Sequence, residues 1–149
     1  MATIKSYTDL EQSKKLAEIL PLESADMVSP FRHTKNDEYI SGYVVSRNYI
    51  EVYNEMMKLP GMEKKDICQL IQPAWSIAAL LDVLPFHLIV NNQRYVFSMV
   101  KGLDKNGETY AIKYAIFNTT FYLHLTDFYN NPIDACVDMI EKLHELNLL

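Results

Sequence analysis

Four histidines, His33, His87, His124 and His144, are the first residues whose type could do chemistry. An imidazole binds metals or moves protons near neutral pH. Metal sites usually show two histidines at helical or strand spacing with a carboxylate close by. Here the four fall on one loop, two separate strands and a helix, so ordinary, partly exposed histidines are expected. His87 and His124 could face one another only if their strands are brought together. Cys136 and His144 form a nucleophile and base by type. Both lie on one helical segment, too far apart along and around it for a hydrogen bond. The row Asp134, Asp138, Glu141 and Glu145 has helical spacing and could hold a cation or do acid–base work. A solvated outer face explains that row more simply. The sequence has no G-x-S-x-G elbow, no G-x-G-x-x-G and no P-loop pattern. No catalytic residue is therefore assigned, and no metal or cofactor is expected.

Two local features carry weaker signals. Trp75-Ser76 stands at a helix start, where backbone N–H groups could hold an anion. The simpler role for Trp75 is a core anchor. Glu23, Ser24 and Asp26 follow the first helix and could line a groove or close a turn through their side-chain oxygens. Glu23, Asp26, Trp75 and Ser76 are thus the candidate small-molecule site, near the start of a helix over 74–83. The chain also holds ten tyrosines and six phenylalanines. One strand face is expected to carry Tyr95, Phe97, Lys101, Lys113 and Phe117. Such a face suits a protein contact, where aromatic side chains dominate, or the stacking of single-stranded bases. Two lysines on an acidic chain argue against nucleic acid.

The bulk figures set the frame for these residues. The chain has 149 residues, a formal net charge of −5, and 49% hydrophobic against 22% charged residues. This composition fits one soluble domain spanning 1–149 and excludes a disordered chain. The longest stretch without a charged residue, Ile67 to Leu81, includes Pro73 and two glutamines and is too short to span a membrane. Met1 to Lys15 contains no apolar run, so no secretory signal is expected and cytoplasm is the expected location. Acidity argues against non-specific binding to nucleic acid or anionic membranes. Cys68 and Cys136 lack zinc or C-x-x-C spacing and read as two buried, reduced thiols.

The elements that must position these residues follow from periodicity and punctuation. Thr8 and Glu11 form a capping box for a first helix that Pro21 stops. Glu23 to Val28 reads as a short strand, Pro30 to Asp37 as a polar loop, and Glu38 to Val45 as a strand weakened by Gly42. Asn48 caps a second helix that Pro60-Gly61 ends; Tyr49, Val52, Tyr53, Met56, Met57 and Leu59 are its apolar face. Glu63 to Gln72 is ambiguous. Pro73 opens a helix over 74–83 that is apolar almost all round, so it should be buried on several sides.

From Phe86 the period changes to two. Four strands form a meander: Phe86–Val90, Arg94–Gly102, Glu108–Phe117 and Thr120–Thr126. Asp104-Lys105-Asn106-Gly107 reads as a type I turn with a glycine bulge. A two-residue turn at Asn106-Gly107 is the alternative and would exchange the strand faces. Asn131 caps a last helix with Pro132 in its first position. Ile133, Cys136, Val137, Ile140, Leu143 and Leu146 or Asn147 form its buried stripe. The expected fold class is α+β: an antiparallel four-strand meander packed by helices.

Three segments, ILPLESADM at 19–27, PAWSIAALLDVLP at 73–85 and NPIDACVDMIEKLHELNLL at 131–149, together resemble a family of small uncharacterised proteins from gut Bacteroides-type bacteria and their phages or mobile elements. The resemblance brings no functional residue with it. It implies an intracellular accessory protein of bacterial or phage origin. The residues themselves point to a small non-enzymatic protein-interaction module, with a protein partner or self-association. The other two expectations are a small-molecule site around Glu23, Asp26, Trp75 and Ser76, and a weak single-strand nucleic-acid platform on the sheet aromatics.

Overall fold

The computed structural model describes residues 5–33, 39–41 and 44–149. The fold is α+β, as the periodicity predicts. The described chain forms two compact units: residues 7–79, and residues 80–149 together with Lys5 and Ser6. Their boundary falls inside one helix, α4 (Ile77–Val83).

The first unit begins with α1 (Leu10–Ile19) and a 3-10 turn at Leu22–Ser24. Its sheet has the order β2-β1-β3, with β1 Met27–His33, β2 Tyr39–Ser41 and β3 Ile71–Ala74. Two further helices are α2 (Tyr49–Met57) and α3 (Lys64–Leu70). The α1 capping box is one residue later than expected: Asp9 and Gln12 exchange the two cap hydrogen bonds. Thr8 is unavailable for capping because its hydroxyl accepts the Trp75 backbone N–H at 3.1 Å. Asn48 caps α2 as predicted, accepting from Ile50 and Glu51. Only Tyr49 of the expected α2 apolar face is buried; Met57 and Leu59 are exposed.

The polar stretch expected as a loop from Pro30 is strand as far as His33. β1 changes partner there: Met27 to Pro30 pair with β3, and Phe31 to His33 pair with β2. Pro30, which lacks an N–H, sits at the change-over. Glu38, Gly42 and Tyr43 of the expected strand lie outside the described residues. The segment Pro73-Ala74 is also strand rather than helix, pairing with Val28 and Met27. The helix therefore starts later, at Ile77. It is not apolar-buried all round either: Leu80 is its buried residue and Leu81 is exposed.

The second unit contains the expected meander, order β4-β5-β6-β7, with β4 His87–Val90, β5 Gln93–Asp104, β6 Gly107–Ala115 and β7 Tyr122–Leu125. Asn91 and Asn92 form the first turn, both at positive φ (51° and 62°), the conformation of a two-residue type I′ hairpin. α5 (Pro132–Glu145) follows, capped by Asn131 with Pro132 at its start. Its stripe is buried from Ile133 to Leu143, with Ala135 and Met139 added, but Leu146 and Asn147, beyond the last helical turn, are exposed. The Lys5 ammonium meets Asp134 at 2.7 Å near the helix start.

The second hairpin turn has the expected residues but not the expected register. Asp104 pairs directly with Gly107, and Phe97 stands opposite Tyr114. Gly107, at φ 123°, stays in the ladder instead of being bulged out. The faces are therefore exchanged relative to the bulge register. Tyr95, Phe97, Met99 and Lys101 share a face with Tyr110, Ile112 and Tyr114. Phe97 and Tyr114 pack edge-on across the strands at 5.9 Å. Val96, Ser98 and Val100 share the other face with Ala111, Lys113 and Ala115. At Gly102, Phe128 comes so close that a Cβ would stand 3.2 Å from its ring and 2.8 Å from the Thr109 hydroxyl.

The type I′ turn generates a stability test. Asn92→Gly relieves the left-handed backbone and should stabilise by about 0.5 kcal/mol, whereas the β-branched Asn92→Val should destabilise by about 1 kcal/mol or more. Urea unfolding midpoints of the two variants measure both.

Candidate functional site

The residues proposed for a small-molecule site divide sharply. Asp26, Trp75 and Ser76 come together in the first unit. The Asp26 carboxylate accepts the Ser76 backbone N–H at 2.8 Å on one oxygen and the Ser76 hydroxyl on the other. Ser76 Oγ in turn accepts from Ala79 N at 3.2 Å, so Ser76 caps α4. Trp75 is fully buried, and its Nε1–H donates to Ser24 Oγ at 2.9 Å. Ser24 passes its own proton to the Pro21 carbonyl at 2.6 Å. On the other side Thr8 N donates to Trp75 O, and Thr8 and Ser13 share a buried hydroxyl pair at 2.8 Å. Glu23 is not part of this network through its side chain; its carbonyl accepts from Asn48 Nδ2. The polar atoms of the hub are thus engaged with one another, and its chemistry is capping and anchoring.

The thiols differ from expectation in one respect. Cys136 is fully buried, but Cys68 is exposed; both are free. It lies on α3, beside a groove of about 360 Å³ lined with Lys14, Leu22, Tyr49, Ile71 and Pro73 among others. Burial pushes the Cys136 thiol up to about 12, so it stays protonated and unreactive at neutral pH. His87 and His124 sit on β4 and β7, the opposite edges of the meander, and do not meet. The His33 side chain lies outside the described residues. Among the described residues no group of three or more His, Cys, Asp or Glu side chains could hold a metal. The acidic row of α5 is partly engaged: Asp134 with Lys5, and Asp138 with the Tyr129 hydroxyl at 2.8 Å. No helix among the described residues is long and apolar enough to cross a membrane.

The aromatic candidates are also separated by the register. Tyr95 and Phe97 lie half-buried on the face that carries Ile112 and Tyr114, both fully buried. α5 packs against β6, and the stripe it buries includes Cys136. Phe117, just beyond β6, belongs with Lys113 and Ala115. The expected stacking platform of Tyr95, Phe97, Lys113 and Phe117 is therefore not assembled on one face. Instead the other face carries the exposed Ile89 and Tyr122 and the half-buried Val96, while Ala111 and Ala115 on it are buried. Val96, Ser98, Lys113, Ala115 and Phe117 border a groove of about 240 Å³ on it.

The second unit also holds large apolar side chains in water. Phe117 is 74% exposed, Phe121 72% and Ile89 63%, and Phe86 at the start of β4 is 76% exposed. Phe117 and Phe121 flank the β6–β7 turn, where Ile116 N donates to Phe121 O, while Phe86 lies at the other edge of the sheet, its carbonyl accepting from Phe97 N. Sequence reading found Phe117 but missed Phe86, Ile89 and Phe121. Alternation marks them as apolar, but only the strand order shows that no neighbour covers them. No family model, curated protein or solved structure matches the chain.

Two outcomes follow from this geometry. Asp26→Ala strands the Ser76 N–H and should cost about 1–3 kcal/mol in urea unfolding, and adding Ser76→Ala should cost less than the sum of the two. Alkali should destabilise the fold. Burial raises Cys136 from 9.0 and Tyr49 from 10.0, each to about 12, and also raises Tyr114 and Tyr129. A group raised on folding contributes fully below its unfolded value and loses that contribution as pH climbs to the folded one. Stability should be flat near neutrality and fall above about pH 9, by about 1.4 kcal/mol per pH unit per titrating group. Cys136→Ala should shift the onset upward.

Proposed function

We propose that this protein is a small non-enzymatic interaction module that works by contact with another protein or with itself. The observation that carries this reading is the exposed aromatic turn between β6 and β7: Phe117, Phe121 and Tyr122 are each more than half exposed. Scattered exposed apolar residues are ordinary, but a cluster of large ones marks a contact surface. Burying one such ring on association is worth about 1.5–3 kcal/mol before the costs of binding. The buried thiol and the self-bonded Asp26–Ser76 hub support a binding role over catalysis. The resemblance of the three segments to small proteins of gut bacteria and their phages supports an intracellular accessory role within the same proposal.

The test uses the double variant Phe117→Ser, Phe121→Ser. Both residues are exposed, so circular dichroism and the unfolding midpoint should change little, within about 0.5 kcal/mol. Light scattering on the eluting protein, with pull-down from native lysate, should show an assembly or partner retained by the parent and lost by the variant. A parent that stays monomeric and retrieves nothing the variant does not would reject the reading.

A further inference from the structure

We infer that the free edge of β4 pairs with the same edge of a second copy, antiparallel and centred on Leu88, so that the meander continues as an eight-stranded sheet. This rests on the interaction reading and names the partner.

The argument starts from the hydrogen-bond phase of β4. Phe97 N donates to Phe86 O at 3.0 Å, and Val90 pairs with Gln93 across the two-residue turn. Antiparallel ladders alternate bonded and non-bonded pairs. Phe86, Leu88 and Val90 therefore spend their backbone groups on β5. The N–H and C=O of His87 and Ile89 point to the outside of the sheet, and no hydrogen bond engages them among the described residues. Both side chains are exposed.

These two residues fit a two-fold axis. With Leu88 on the axis, His87 of each copy stands opposite Ile89 of the other, and the outward groups close four hydrogen bonds. Pro85 has no N–H to offer, so the ladder ends there and a longer partner strand would find no donor. A short strand like β4 itself matches that length. A two-fold axis makes the pairing antiparallel. Residues 83–93 carry no Asp, Glu, Lys or Arg, in a chain of net charge −5, so two copies of this edge meet without like-charge repulsion. Arg94 lies one strand in, opposite Ile89. Apart from its shortness and Pro85, β4 carries no lysine and no bulge to blunt its edge. The opposite edge strand, β7, faces a register shift at Tyr114/Ala115. The pairing also covers part of the exposed Ile89 side chain of each copy.

The test is the mass of the full chain by light scattering across a concentration series at low salt, with amide hydrogen exchange at each end of the series. The expected result is a rise from 17.3 kDa toward twice that mass, with the His87 and Ile89 amides protected only in the dimer. Ile89→Pro removes an outward donor without touching the β5 ladder and should weaken association at least about tenfold. Should that variant not fold, Ile89→Lys keeps the backbone and places a charge on the edge, with the same expected loss. A dimer that both Ile89 variants leave intact and that the Phe117, Phe121 double variant abolishes would overturn edge pairing and keep the interaction reading. A parent monomeric throughout would also overturn edge pairing, leaving the broader reading to partner capture.

Discussion

A strand exposes alternate side chains to opposite faces, so the closing pair Asp104–Gly107 fixes both faces of the meander at once. Everything on β5 and β6 follows from it. Tyr114 and Ile112 turn toward α5 and become core, with Phe97 packed edge-on against Tyr114. Ala111 and Ala115 turn the other way. Both are buried, so β6 is covered on that face as well. A slip of one residue would put Lys113 against α5 and turn Tyr114 to the opposite face. The conformational latitude of Gly107 is what lets this register close over two turn residues.

In the first unit polar groups do comparable work. β1 and β3 come from distant parts of the chain, and their pairing is sealed at one end by side chains rather than by a turn. Asp26 holds Ser76, and Ser24 holds the Trp75 indole. The same residue types in the same places could have been read as a ligand site. Their hydrogen bonds to each other show a closed circuit, in which each donor and acceptor stabilises the junction between β1, β3 and α4.

How much of this was legible in the sequence depends on whether the signal was local. α5 was readable because Asn131, Pro132 and a clean apolar stripe all lie within it. The meander was readable from its period and turns. The cap of α1 was misplaced because Thr8 is claimed by Trp75, a residue no local rule connects to it. The helix over 74–83 was begun too early because nothing around Pro73 announces that Met27 and Val28 will pair there. The candidate contact residues split along the same line. Phe117 was read as the last residue of the third meander strand. Tyr95 and Phe97 were grouped with it through a register that the turn residues alone left open. Phe86 and Ile89 were invisible as surface because the position of a strand at a sheet edge is a property of topology.

The Tyr114 hydroxyl donates to the Pro85 carbonyl at 2.6 Å, directly before β4 begins. Its ring is fully buried. Peeling β4 from the sheet would break that bond and uncover the phenol behind it. Edge strands commonly fray at little free-energy cost, but this one is riveted at its entrance to the core. Opening of β4 therefore also costs a hydrogen bond to a fully buried core residue, which ties this edge strand to the interior of its unit.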